Sequence, residues 1–323
     1  MTSLRGGVAA LRHPGPRAVT RLAWATLTVN VLIVATGGLV RLTGSGLGCP
    51  RWPNCADGSL LPTRELDWHS YVEFGNRLLT DVVAVVTAAM LVVAYLARPA
   101  RTDVRRGALL VFLGVPAQAL LGGVTVVTHL NPWVVSLHFV LSMVIVAVAG
   151  WLVRRAREGD APARLVVHPL LRRLAVGLLA VAAVVVYLGT IVTGSGPHAG
   201  APDVHRIGVD PRTVAQLHAD AVMLLVGMSI ALPVAVRATG APAAVRRSTV
   251  VVLVVEAAQA TVGYVQYFTH LPVALVDLHL LGASLLVVAL TGAFLSMRDR
   301  GPATPAGLVL PAQPVVRGTA QPV

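Results

Sequence analysis

Three histidines, His138, His218 and His279, lie inside long apolar stretches of the sequence. An ionisable side chain in hydrocarbon is costly, so its presence there points to a task. At about 1.5 Å of helix rise per residue, each falls one to two turns below the same end of its span. Two imidazoles facing each other across a four-helix bundle suit axial ligation of a haem iron. Zinc would ask for four ligands, and few other candidates share that depth. A lone membrane histidine can also simply hydrogen-bond a neighbouring helix. A pair recurring at matched depth favours the haem reading.

The recurrence is part of an internal repeat. Ala117-Gln118-Ala119, Gly122, His129-Leu130 and His138 return as Ala258-Gln259-Ala260, Gly263, His270-Leu271 and His279, all at an offset of 141 residues. Thr43-Gly44-Ser45-Gly46 returns as Thr193-Gly194-Ser195-Gly196. At an offset of 142, His218 falls on Asn76. One half therefore offers a histidine pair, and the other offers His138 with an asparagine, a poor haem ligand. Glu73 and Arg77 flank Asn76 at the i,i+4 spacing of an ion pair on one helix face. They read either as a buried structural pair or as a carboxylate serving a second, chemically different pocket. The cost of a carboxylate near the bilayer favours the second reading. The expectation is a fixed cofactor in one half and a reacting species in the other.

The elements that must position these residues are membrane spans. The 323-residue chain is 55% apolar and only 12% charged, about half the charge fraction of soluble domains, with a mean hydropathy of +0.75. That excludes an ordinary soluble enzyme and a disordered chain, and two cysteines exclude a disulfide scaffold. Eight runs approach the ~20 residues a crossing needs: Leu22–Val40, Tyr71–Ala97, Gly107–Thr128, Trp133–Val153, Leu174–Thr193, Val214–Val236, Ser248–Phe268 and Val273–Met297. The charge-free part of the second, Val82–Ala97, is too short alone, so that span must take in Glu73, Asn76, Arg77 and Asp81. The first run lacks an A-x-A-like cleavage site and reads as a retained helix.

The expected fold class is an all-α integral membrane protein. Its eight helices form two pseudo-symmetric four-helix bundles, residues 22–153 and 174–297, joined by a cytoplasmic linker, 154–173. An even number of helices per half makes the repeat parallel, about an axis along the membrane normal. All 26 basic residues are arginine and the net charge is +12. Such a charge can suggest nucleic acid, but 20 of the arginines sit in the two tails (1–21 and 298–323) and the second, fourth and sixth loops. That is a topology signal: it places both termini in the cytoplasm of a cell-membrane protein and calls for no nucleic-acid partner. The Pro-rich segment from Gly301 onward reads as disordered.

Cys49 and Cys55 fall in the first outer loop, where an oxidising exterior favours a disulfide. The pair could be a structural staple or a redox relay; nothing nearby marks a depressed thiol pKa, which favours the staple. His129 and His270, at the outer ends of spans three and seven, are solvated or contact haem propionates. His69, His198 and His205 read as surface histidines of outer loops. Glu256 and Asp277, within spans, could carry protons or stay neutral and hydrogen-bonded. The Gly-rich Thr43–Gly48 is no phosphate loop, because no Lys follows it.

The run Gly37-Gly38-Leu39-Val40-Arg41-Leu42-Thr43-Gly44-Ser45-Gly46-Leu47-Gly48-Cys49-Pro50-Arg51-Trp52-Pro53-Asn54-Cys55 resembles the first outer segment of haem A synthases, the CtaA/Cox15 family. The likeness extends over nearly the whole chain apart from its tails. It implies oxidation of the C8 methyl of haem O to a formyl group, making haem A for cytochrome c oxidase assembly. Two successive oxidations would give a gem-diol that dehydrates to the aldehyde. His218 and His279 would ligate a resident haem b that exchanges electrons with the reacting centre, and His138 would face the substrate haem O. Glu73 would be the family's essential carboxylate, and Cys49 and Cys55 its outer-loop cysteine pair. The implied partners are a haem O synthase, the oxidase assembly apparatus, and an electron donor that is ferredoxin-like or a quinol.

One departure stands out. The family's E-x-x-H-R pattern reads Glu73-Phe74-Gly75-Asn76-Arg77 here. A haem held by His138 alone keeps one iron face open, which suits oxygen activation. Asn76 is therefore expected to keep the site open while Glu73 positions or deprotonates the reacting species. A cysteine pair in the fifth-to-sixth loop, found in some members, is absent. Two other readings use the same features: a quinol-linked membrane haem-b electron carrier, and a repeat-containing transporter. A symmetric dihaem wire would want a fourth histidine, and a transporter would want spans broken near the midplane.

Overall fold

A computed structural model describes residues 14–63 and 66–301. The start of the N-terminal tail and the Pro-rich segment from residue 302, expected to be disordered, lie outside the described residues. Eight helices follow one another: α1 Pro16–Leu42, α2 Trp68–Leu96, α3 Thr102–Val127, α4 Pro132–Arg157, α5 Pro169–Ser195, α6 Pro211–Ala238, α7 Ala243–Phe268 and α8 Val273–Ser296. All eight are long and apolar enough to cross a membrane. The chain is a multi-pass membrane protein.

The helix starts follow local chemistry. Pro16, Pro132, Pro169 and Pro211 occupy first turns, where a missing N–H leaves no bond unmade. Side chains of Asp67, Asn131, His168 and Asp210 accept from the backbone N–H of His69, Trp133, Leu170 and Thr213, each such cap contributing about 1 kcal/mol. Several helices outrun the expected spans at the arginine-rich end: α1 starts at Pro16, α3 at Thr102, α5 at Pro169 and α7 at Ala243, and α4 runs to Arg157. The apolar pattern stops at the first arginine, whereas the helical backbone continues beyond it, with cationic side chains such as Arg17, Arg21 and Arg106 exposed and Arg155 paired with carboxylates.

Helix α1 packs on α2, α4 and α8; α3 packs on α2 and α4; α6 joins α5 to α7; α8 packs on α7, α5 and α4; and α4 touches α5. Two large clusters of buried apolar side chains result, with a small third of Ile191, Ile207 and Val214. Met90, Val111, Val146 and Leu152 belong to one, drawn from α1–α4, and Leu178, Leu225, Val245 and Leu290 to the other, drawn from α5–α8. Between spans such packing stabilises through van der Waals contact rather than removal from water.

The ends of the seam between the clusters are tied by polar contacts. At the end carrying Cys49 and Cys55, Arg41 of α1 donates from Nε to the carbonyl of His198 at 2.8 Å and from Nη2 to that of Thr193 at 3.0 Å. Nε2 of His198 lies 2.9 Å from the carbonyl of Leu271, and the Gly46 N–H donates to Gly200. At the opposite end, Arg155 is 2% exposed and pairs with Asp103, Glu158 and Asp160. There a two-residue strand, β1 Arg164–Leu165, pairs antiparallel with β2 Arg298–Asp299. The beginning of the C-terminal tail is thus held against the linker.

Candidate functional site

His138 lies on α4, His218 on α6 and His279 on α8. In each ring Nδ1 is buried and has no hydrogen-bond partner among the described residues. The backbone carbonyls of Val185 on α5 and Gln259 on α7 stand beside the His218 and His279 rings, so each of these imidazoles also leans on the helix before it. An unpaired buried ring nitrogen costs about 1–3 kcal/mol. His218 and His279 sit within electrostatic range of each other.

Every ring is cleared by a glycine on the preceding helix. A methyl group on Gly122 would lie 3.4 Å from Cε1 of His138, one on Gly189 3.3 Å from Cε1 of His218, and one on Gly263 3.2 Å from Cε1 of His279. The same relation holds, more loosely, at Asn76: a methyl on Gly37 would lie 4.0 Å from its Nδ2. Four even-numbered helices thus present a polar side chain to a glycine on the helix before. Gly37 and Gly189 went unmarked as partners in the sequence, although a glycine one span before each ligand candidate was the signal.

Asn76 has a partner that the sequence did not disclose. Its Oδ1 accepts from the Thr36 hydroxyl of α1 at 2.8 Å. Glutamines were also missed, though they stand inside the repeat: Gln118 donates to the His138 carbonyl at 3.0 Å and Gln259 to the His279 carbonyl at 2.9 Å. These bonds fix α3 against α4 and α7 against α8 at the level of the histidines.

Glu73 is buried, and both carboxylate oxygens are engaged. Oε2 accepts the Cys49 N–H at 2.8 Å and Oε1 accepts Nη2 of Arg77 at 2.6 Å. Arg77 also donates to the carbonyls of Cys49, Pro53 and Asn54. The i,i+4 pair read from the sequence exists, and it grips the loop after α1. That loop is closed by a Cys49–Cys55 disulfide whose cysteines are 0% exposed. Gly48 lets the loop approach α2, since a methyl there would lie 2.5 Å from the His69 carbonyl. Trp52 packs over Gly123 of α3.

Two expectations need correcting. His69 is not a loop residue: it sits in the first turn of α2, with Nδ1 2.9 Å from the Ser45 hydroxyl. His198 is not a plain surface histidine, because its ring and carbonyl join Leu271 to Arg41. Both were read from polar surroundings, which do not reveal a partner distant in sequence. His205 is exposed, as are His129 and His270. The last two and the leucine after each adopt positive φ, 51° and 56° for His129-Leu130, 63° and 60° for His270-Leu271, a strained conformation for such residues. Glu256 is buried, its Oε1 accepting from the Ser229 hydroxyl at 2.9 Å. Asp277 faces α1, where a methyl on Gly38 would lie 2.5 Å from Oδ1.

Among the described residues no three or more of His, Cys, Asp and Glu converge as a metal cage. The donors are single imidazoles in glycine-cleared, apolar surroundings, which fit the axial positions of a haem. The observations behind that fit are the imidazoles on successive even-numbered helices, each packed on a glycine of the helix before.

The sequence is similar to known proteins. The chain is 32% identical over 140 residues to the heme A synthase of Geobacillus kaustophilus, a stretch covering 43% of each chain. It is 32% identical over 176 residues to that of Exiguobacterium sibiricum, 54% of this chain and 58% of the relative. Across these two matches the chain spans about half the relative's length. Against the heme A synthase of Bacillus cereus strain G9842 identity is 25% over 277 residues, covering 81% of this chain and 88% of the relative. The family model described as COX15-CtaA, cytochrome oxidase assembly protein, matches residues 20–291. By that match, which takes in His138, His218, His279 and the disulfide, the chain belongs to the COX15-CtaA family.

Proposed function

We propose that this protein is a haem A synthase, an oxidoreductase that converts the C8 methyl of haem O to a formyl group. The observation that carries the reading is the set of three span histidines, each on an even-numbered helix and each facing a glycine of the helix before. Family membership and the relatives' names support it; they lend nothing to an electron carrier or a transporter.

In this reading α1–α4 form a bundle that receives haem O at His138, and α5–α8 form one that holds haem b between His218 and His279. The repeat is parallel and pseudo-twofold. In its support, the contact of α1 with α8 is answered by that of α5 with α4, and α4 meets α8 directly. The arginine distribution puts both termini on the cytoplasmic side of the cell membrane.

When bound, haem b supplies one-electron chemistry that amino acids lack. The chain supplies placement. Gln118 and Gln259 set the height of the ligand helices. Asn76, held by Thr36, contributes no second imidazole opposite His138, so one face of the substrate haem is free to react. Glu73 and Arg77 anchor the disulfide loop over this half, and the carboxylate keeps lone pairs in reserve to orient the reacting species. The buried Cys49–Cys55 bond acts as a staple. Haem O synthase upstream, oxidase assembly downstream, and a quinol or ferredoxin-like donor complete the expected surroundings.

The test is co-expression with a haem O synthase in a host that makes no haem A, followed by extraction and chromatographic separation of the haems. A haem A peak that disappears in His138→Ala is expected. Retained haem B with unchanged haem O would instead point to an electron carrier.

A further inference from the structure

Keeping one face of a haem open needs only a side chain that does not ligate iron. An apolar residue does that in a span with no polar group to satisfy. The chain instead places an asparagine where the other half has His218, and the two ends of its amide are treated differently. Oδ1 of Asn76 accepts from the Thr36 hydroxyl at 2.8 Å. That hydroxyl has a single hydrogen, and its other neighbour, the Ile33 carbonyl, is farther off at 3.3 Å, so the bond to Asn76 is the stronger. With Oδ1 turned to Thr36, Nδ2 is turned away from it. Nδ2 donates to no described residue, and it is not sealed among the buried unpaired atoms. It is an unused donor that a small molecule can reach.

Resting on the reading of α1–α4 as the haem O site, we propose that Nδ2 of Asn76 donates a hydrogen bond to a small acceptor ligand, a diatomic molecule or anion, taken up on the haem face opposite His138. Thr36 is the positioning residue that keeps the nitrogen, not the oxygen, on that side.

Two successive residues of α1 address the two ends of the amide. Thr36 bonds the oxygen, and Gly37 leaves the nitrogen clear, since a methyl there would lie 4.0 Å from Nδ2. The other polar side chains of this stretch of α2 are committed elsewhere: Glu73 accepts from Cys49 and Arg77, and Arg77 donates to the loop after α1. Nδ2 is therefore the donor left for the pocket. An asparagine amide also ends one bond short of where Nε2 of a histidine in its place would stand. It leaves room for a small ligand between itself and the haem and still meets that ligand with an N–H. An unpaired amide N–H in a span is destabilising, and a bound acceptor removes that penalty.

The test uses ligand probes. Full-length protein is purified in detergent and loaded with haem O, then given carbon monoxide when reduced and azide when oxidised. A haem held between two imidazoles offers no open face, so the signal reports the His138 site. Asn76→Leu, similar in volume but without the donor, is expected to raise the C–O stretching frequency and to weaken azide binding by about tenfold, at unchanged haem content. Thr36→Val frees the amide to turn over and splits the C–O band in two, one band for each orientation. Thr36→Ser keeps the hydroxyl and restores the single band. Should Asn76→Leu load haem poorly, the two Thr36 variants carry the comparison. An unchanged C–O band and azide affinity in Asn76→Leu, or a single unshifted band in Thr36→Val, overturns the proposal. Wild-type protein that holds haem O yet takes up neither probe, or whose probe spectrum survives His138→Ala, overturns the reading of α1–α4 as a one-ligand haem O site instead.

Discussion

Oε2 of Glu73 accepts the backbone N–H of Cys49 at 2.8 Å, so the proposed catalytic carboxylate also carries the disulfide loop. Structural and chemical roles then separate by substitution. Glu73→Gln keeps an oxygen for the Cys49 N–H, whereas Glu73→Ala leaves that donor and the Arg77 guanidinium without their partner. Glu73→Ala is expected to lose about 2 kcal/mol of stability and Glu73→Gln about 1 kcal/mol or less. If the carboxylate takes part in the chemistry, both lose haem A output to a similar extent. Thermal unfolding in detergent and haem chromatography on the same preparations check the two arms. Full activity in Glu73→Gln would reduce Glu73 to an anchor.

Asn76 is held by Thr36 at 2.8 Å, close to a glycine that would also admit a ring. Asn76→His restores the E-x-x-H-R pattern opposite a glycine, the arrangement that His138, His218 and His279 have. The expected outcome is a low-spin, two-histidine spectrum for the haem at His138, with haem A production down by about tenfold or more as the open face closes. Absorption and electron paramagnetic resonance report the ligation. Output equal to or above wild type would remove the support for an open site.

The spans, the arginine-rich loops and the histidine repeat were legible because each is a pattern along the chain: length, charge and offset. Glu73–Arg77 was legible for the same reason, since i,i+4 is a local spacing. What escaped was contact between distant segments. Nothing near His198 in sequence names Arg41 or Leu271, and nothing near Asn76 names Thr36. The glycines facing the rings were visible as letters, but their purpose appears only when α1, α3, α5 and α7 stand beside the helices that follow them. The short pairing of β1 with β2 joins residues more than a hundred positions apart, beyond any periodicity.

Arg41 ties the two clusters at the disulfide end through two charge-assisted bonds, to the carbonyls of His198 and Thr193. Such bonds contribute about 1.5–3 kcal/mol each when their acceptors are otherwise unsatisfied. Arg41→Met, which keeps the apolar stem, is expected to lower stability by about 3 kcal/mol or more, and Arg41→Lys to restore only part of it, because an ammonium cannot span both carbonyls in the planar fork. Equal unfolding temperatures for Arg41→Met and wild type would show that the loop between α5 and α6 is held elsewhere.

Gly263 gives the sharpest test of the glycine rule. Its added methyl would lie 3.2 Å from Cε1 of His279, tighter than ordinary contact, so the imidazole must shift. Gly292, on α8 one residue before the buried Ala293, would meet nothing within 4 Å. Gly263→Ala is expected to cost about 1–3 kcal/mol of packing strain and to disturb the low-spin absorption of the haem proposed at His218 and His279. Gly292→Ala should leave that spectrum alone and, by restricting the unfolded chain, stabilise by about 0.5–1 kcal/mol. Haem content and absorption of the two variants at matched expression make the comparison. If Gly263→Ala binds haem with an unaltered spectrum, the ring does not depend on the space that glycine provides, and ligation through His279 loses its structural basis.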